Sequence, residues 1–457
     1  MSFGDVLAHK VAEIQVKALE HFEKWVLTSR IDNDKLFDLD QDGTRVVPRL
    51  GTGHTITEQD VLQRQDFLDE LWVLLDRLES NFSRYYNVDV QELLHIELDL
   101  CQQETTGLDA DNRWPASLGP VPGSASADGT VVGALGRALD PWLAGISNPP
   151  EAVVEPVWEG EAAEAFNDGY LYPLVRSVGL LAYCGVYLAN VVQIFVNVVK
   201  DTQRKLLDIA NATSAALDDE EWDRASISDV ALAGNLFSFA LPPPVDKWIG
   251  GISTALDLWA RSHETPEREP RFHISSSSWT DVILRASCDH LDTVESDLED
   301  LDRDLGERLL EDEQLFQDAK FRPEDGARPA TPTRLIAHLE TIYGWGQVHM
   351  VSAANHCQWA TRTVEDCYIP VQTQVLPGSR REYGYLADMM ITALRRAEEH
   401  LRFAGQALVD ACNTYAAAEE ASQAAFERFK EGLPPAENVP YRDPDLYPPI
   451  TSPHPSL

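Results

Sequence analysis

The sequence predicts an all-α protein: an elongated helical bundle of long antiparallel helical hairpins, with Pro/Gly-rich loops and a disordered C-terminal tail. Three observations carry that expectation. Apolar residues recur at spacings of three and four over several long stretches, the period of a helix with one buried face. The alternating apolar–polar pattern of half-buried strands is nearly absent. Gly, Pro and Ser gather between the periodic stretches rather than within them.

The 457 residues suffice for two or three domains of roughly 150 residues each. Hydrophobic residues make up 44% of the chain, enough to bury real cores. A formal charge of −38, spread along the sequence, would repel phosphate. It therefore argues against nucleic acid and against docking on anionic lipid. Basic proteins, or solubility alone, suit such a surface better.

In the first helix Val11, Ile14, Ala18, Phe22 and Trp25 form an apolar stripe. A polar loop follows to about residue 56, where Thr57 with Asp60 opens a second helix carrying Val61, Phe67, Leu71, Leu74 and Leu78. A third covers about 89–103, and the Gly-, Pro- and Ser-rich residues 104–130 read as a linker. A long helix is expected over about 161–216, and Leu241 with Pro242, Pro243 and Pro244 breaks the chain beyond it. After a polar loop at 262–277, Leu284, Leu291, Val294, Leu298, Leu301 and Leu305 give a nearly coiled-coil stripe. Its opposite face carries Glu295, Asp297, Glu299, Asp300, Asp302 and Asp304, which read as a solvated surface.

A further helix is expected over about 333–366 and a last one over about 381–430. The seam of the latter runs through Ala397, Leu401, Ala404, Leu408, Ala411, Tyr415, Ala418, Ser422, Ala425 and Phe429. So many small residues let a neighbouring helix approach closely. The chain thus divides into an N-terminal helical region (1–103), the linker, a helical hairpin region (131–261), a loop (262–277), a C-terminal bundle (278–431) and a Pro-rich tail (432–457). That tail leaves no room for an appended toxin domain.

The segment VWEGEAAEAFNDGYLYPLVRSVGLL (157–181) resembles the WxG-motif superfamily of type VII (ESX-type) secretion substrates, in particular its long actinobacterial members. The residues that carry the resemblance are Trp158, Gly160, Ala162, Ala163, Ala165 and Phe166. Gly tolerates a tight turn between antiparallel helices, and Trp buries a large surface that locks it. Residues 275–309 and 394–426 look like later segments of such long members. In the second, Tyr415 and Glu419 are similar to the family's Tyr-x-x-x-Asp/Glu export signal. The spacing alone carries no weight, because Tyr85/Asp89 and Tyr441/Asp445 share it. Position does: Tyr415 and Glu419 lie near the end of a long helix, one turn apart on one face.

The resemblance implies a secreted or cell-surface protein without a cleavable signal peptide, effector-like and non-enzymatic, needing no cofactor. Its implied partners are the type VII secretion ATPase and a cytosolic chaperone or helical partner protein. In small members of the family one hairpin holds both motifs, whereas here most of the chain's later half separates them. The N-terminus supports the absence of a signal peptide, being amphipathic and lacking an apolar core with a small-residue cleavage site.

Other constellations are weaker. Val178–Val199 is uncharged and long enough to span a bilayer, so a membrane-active protein inserting 178–199 is the alternative reading. Asn190, Gln193 and Asn197 share one side of it, as in a buried helix with polar contacts or a pore lining. Asp38, Asp40, Asp42 and Gly43 imitate the start of a calcium loop, but Arg49 stands where the bidentate Glu belongs, and an Asp-Gly turn is expected. His338, His349, His356 and Cys357 share one predicted helix without a convergent ligand set, so no metal site is expected. The six cysteines form no CxxC pair and read as buried thiols, although the sequence allows a Cys357–Cys367 bridge. No nucleophile elbow, phosphate loop or zinc-protease motif occurs.

Overall fold

A computed structural model describes residues 2–28, 35–49, 56–101, 129–146, 158–159, 166–218, 280–322, 336–337, 339–371, 373 and 375–430. About 84% of them are helical, and the fold is all-α. The helices are α1 (Phe3–Val26), α2 (Glu58–Ser83), α3 (Val90–Leu100), α4 (Val131–Ile146), α5 (Tyr172–Asp218), α6 (Thr280–Glu311), α7 (Glu313–Asp318), α8 (Leu339–Gly344), α9 (Met350–Asp366) and α10 (Pro377–Lys430). Short π-helical segments, Asn167–Leu171 and Trp345–His349, lead into α5 and α9. Among the described residues there are also two antiparallel ladders: β1 (Phe37–Leu39) with β2 (Val46–Pro48), and β3 (Trp158–Glu159) with β4 (Ile336–Ala337).

Local chemistry sets the starts of the first helices. Ser2 and Asp5 form a reciprocal capping box on α1, and Thr57 and Asp60 form another on α2. The expected stripe on α1 is buried from Val11 to Phe22, with Trp25 half-buried at its end. On α2 the seam passes through Leu68 rather than Phe67, which stays at the edge.

The polar loop expected after α1 contains the β1–β2 hairpin. Its turn is held by the Asp40 carboxylate, which accepts from the backbone N–H of Thr44 (2.7 Å) and Arg45 (3.0 Å). Gly43 takes the positive φ of 66° that the turn requires, and the Trp72 indole N–H donates to its carbonyl. Asp38 instead faces Lys35 (3.3 Å) and Arg49 (3.9 Å). Asp-Gly turn chemistry, not a calcium loop, therefore accounts for this motif. Among the described residues no three His, Cys, Asp or Glu side chains gather to hold a metal ion; His338 lies outside them.

Two hydrophobic cores form, and they cross the sequence segments. The first joins α1, α2, the end of α5 (Leu206–Leu217) and the beginning of α6 (Ile283–Val294). The second joins α3, α4, the first part of α5 (Leu174–Val199), the end of α6, α7, α9 and α10 (Tyr383–Cys412). Helices α5 and α6 run through both. At 47 residues, α5 is about 70 Å long. Its apolar stretch makes it the one described helix long and apolar enough to cross a membrane, and 78% of that window is buried inside the protein. Asn190, Gln193 and Asn197 are half-buried along one side.

Helices α9 and α10 lie antiparallel, with Arg402 donating to Asn355 (3.0 Å) and Arg395 paired with Glu365 further along. The acidic face of α6 is not wholly solvated. Asp302 is half-buried and accepts from the backbone N–H of Gly378 (2.7 Å) and Ser379 (2.6 Å), capping α10. A Cβ at Gly378 would sit 2.9 Å from that carboxylate, so the glycine permits the approach. All six cysteines are free thiols and five are buried, so Cys357 and Cys367 are not bridged. Burial pushes both thiols up to about 12.

Between α6 and α7 the carboxyl of Asp312 is buried and accepts from the Tyr187 hydroxyl (2.8 Å). Burial, aided by Glu311 and opposed by the Tyr187 bond, raises it to about 6. With the folded value above the unfolded one, ionisation opposes folding. The penalty is absent in strong acid, grows as pH rises to about 6 and is complete above it. Asp312→Asn retains an acceptor for Tyr187 and removes the charge. It should stabilise the protein by about 1–2 kcal/mol above that pH and give no such gain in acid, as measured by urea unfolding at both.

Candidate functional site

Three parts of the chain meet along the C-terminal core: residues 158–159 and 166–171 before α5, residues 336–337 and 339–349 before α9, and α10 from His400 to Cys412. Trp158 pairs with Ala337 and Glu159 with Ile336, backbone to backbone. Two residues after β4, the Leu339 carbonyl accepts a bond from the Cys412 thiol (3.5 Å). Tyr415 lies one helical turn beyond Cys412 on α10. Two short links therefore connect Trp158 to Tyr415, which the sequence separates widely. Tyr415 is half-buried and Glu419 is exposed one turn on. Gly160 lies outside the described residues.

Phe166 is half-buried and stacks on Tyr170, with ring centroids 5.7 Å apart and planes 19° from parallel. Tyr170 meets Phe321 edge-on at 5.2 Å, and Phe321 meets His400 at 4.5 Å. The Tyr170 hydroxyl donates to the His400 carbonyl at 2.5 Å, pinning the entry of α5 to the middle of α10. Burial lowers the His400 imidazole below its ordinary value, with Glu399 opposing and Arg396 assisting. No sequence pattern announces this aromatic group. Tyr170, Phe321 and His400 come from three separate segments, and only Tyr170 stands near the motif that prompted attention.

The stretch expected as one helix over 333–366 is broken into β4, α8, the π segment and α9. Close approach to α10 explains the break. A Cβ at Gly346 would lie 2.6 Å from the Gly405 carbonyl oxygen and 3.1 Å from both Leu408 Cβ and Val409 Cγ2. The two backbones touch there, and the wider π turn accommodates the contact. The Gly344 and Gly346 pair was the available signal. The seam of α10 is buried as expected at Ala397, Leu401, Ala404 and Leu408. It then turns toward Val409 and Cys412, leaving Ala411 and Tyr415 half-buried and Ala418 exposed. A straight helix of 3.6 residues per turn drifts off a strict seven-residue repeat, and here α8 replaces a long neighbour. The side chains of Ser422, Ala425 and Phe429 lie outside the described residues.

This end of the molecule offers a paired aromatic and acidic residue on one helical face, beside a short ladder and two π segments. Comparison of the chain with family models, curated proteins and solved structures finds no match.

Gly346→Ala should lower stability by about 1–3 kcal/mol, the usual cost of overpacking a tight contact, seen as a lower midpoint in thermal unfolding. An unchanged midpoint would mean that α10 does not press on this turn.

Proposed function

We propose that this chain is a secreted, non-enzymatic substrate of a type VII secretion system that acts by binding or assembling with other proteins. One observation carries the reading. The ladder of Trp158 with Ala337 and the bond from Cys412, one turn before Tyr415, to Leu339 support a link between the residues most similar to the two halves of the family's pattern. In small members one hairpin brings the two motifs together; on this reading β4 and the start of α8 would take that part.

On this reading the secretion ATPase recognises Tyr415 and Glu419, which share one face near the end of the described part of α10. A cytosolic chaperone or helical partner would cover the same end before export. The net charge of −38 favours partners with basic surfaces after it. The alternative, insertion of 178–199 in a membrane, requires a segment whose Leu181, Leu188, Val192 and Phe195 are fully buried to leave the core. That exchange exposes the apolar faces of α3, α4, α9 and α10 together.

The test is export from a host with an intact type VII system. Wild type should appear outside the cell, while Tyr415→Ala should be retained and keep wild-type helicity by circular dichroism, since its side chain is only half-buried. Secretion of the variant at the wild-type level would defeat the assignment of the signal. Flotation of the purified protein with anionic and neutral liposomes should be negative, and co-flotation would favour the membrane reading instead.

A further inference from the structure

The two cores meet at a waist where packing fails on both shared helices at the same level. On α5 the last apolar residue of the C-terminal core is Val199 and the first of the N-terminal core is Leu206; between them the buried residues are Asp201, Thr202 and Lys205. On α6 the N-terminal core ends at Val294 and the C-terminal core resumes at Leu305, with only the half-buried Leu298 and Leu301 between. The third crossing, from α2 to α3, is a turn at Arg84–Asn87 rather than a helix.

Cavities flank α6 here. One of about 300 Å³ lies against α5 and is lined by Val198, Thr202, Lys205, Leu298 and Leu301. The other, of about 320 Å³, lies towards α2 and the start of α10, between Tyr85, Leu298, Val375 and Leu376. Both cavities open to solvent, and Asp297, Asp300 and Asp304 on one side and Glu295, Glu299 and Asp302 on the other also line them, so at this level α6 meets its neighbours through half-exposed, acidic faces. The helix is also weak in itself at this level. Glu295, Asp297, Glu299, Asp300, Asp302 and Asp304 crowd like charges at spacings of three and four, with Arg303 the one cation among residues 295–304.

What spans the waist is mostly polar and easily replaced by water. Arg84 pairs with Glu295 at the surface, and Gln203 donates to the Val88 carbonyl at 3.2 Å. Asp201 and Lys205 pair within α5 itself. Among the described residues, Tyr85 and Leu298 are the partly buried hydrophobics that pack against both cores. Asp302, by contrast, is bonded to Gly378 and Ser379, so α6 beyond it moves with the C-terminal core.

We propose that residues 199–205 of α5 and 294–301 of α6 form a hinge, about which the N-terminal core swings as a unit against the C-terminal core. Bending at these levels opens the two cavities and separates Tyr85 from Leu298, while the seams of both cores stay packed. The device is independent of the secretion reading, since it rests on packing alone.

Hydrogen exchange of the intact protein, followed by mass spectrometry, tests it. In a helix packed along its whole length, protection is greatest in the middle and falls toward the ends. A hinge inverts that profile: amides of 199–205 and 294–301 should exchange about ten-fold faster than those on either side in the same helices. Protection that peaks at these residues would overturn the proposal. In Asp297→Ala/Glu299→Ala, which relieves like-charge pairs without touching a core residue, exchange over 294–301 should slow about two- to five-fold. An unchanged rate would overturn the acidic waist as the source of the weakness.

Discussion

A helix of 47 residues that is apolar on most of its circumference for its first half has to be enclosed, and the other helices are arranged to enclose it. Helices α3, α4, α7 and α10 pack against α5 in the C-terminal core, and α1 and α6 pack against it in the N-terminal core, with α9 and α2 forming the next layer of each. Each fully buried Leu, Val or Phe contributes roughly 1.5–3 kcal/mol relative to exposure, so this one element concentrates much of the driving force for folding. The apolar run that resembles a membrane span is the axis of the molecule.

Because α5 serves both cores, the chain must supply its neighbours from distant parts of the sequence. Helices α1 and α2 therefore pack against the end of α5 and the start of α6, far along the chain. The same demand brings β4 and α8 back to the entry of α5, where β4 pairs with Trp158–Glu159. A two-residue ladder joins Trp158–Glu159 to β4, and a bond from Cys412 to Leu339 joins α10 to the start of α8. The polar waist, where α5 and α6 pass from one core to the other, is a second consequence of the shared axis.

Much of this was legible in local chemistry. The capping boxes at Ser2/Asp5 and Thr57/Asp60, the stripe from Val11 to Phe22 and the small seam from Ala397 to Leu408 all rest on contacts within a few residues. The β1–β2 hairpin was missed because its strands are three residues long, too short to show an alternating pattern. Helix α4 was not singled out, since Val131–Ile146 follows the Gly-rich linker directly and contains Pro141. The role of Asp302 as a cap for α10 was invisible: in sequence it is one of six acidic residues on a helix face, and only the arrival of Gly378 and Ser379 distinguishes it.

The sequence by itself determined the helical class, the placing of most helices and the chemistry of the two candidate motifs. Each depends on residues close enough along the chain for periodicity, caps and turn residues to express them. Tertiary structure decided which helices share a core, that Trp158 lies in a ladder with Ala337, and that α10 at Cys412 bonds to Leu339 just beyond that ladder. It also decided where packing fails, between Val199 and Leu206 and between Val294 and Leu305. Those features arise from pairings across hundreds of residues. They follow from how one long apolar helix is enclosed, which no local pattern records.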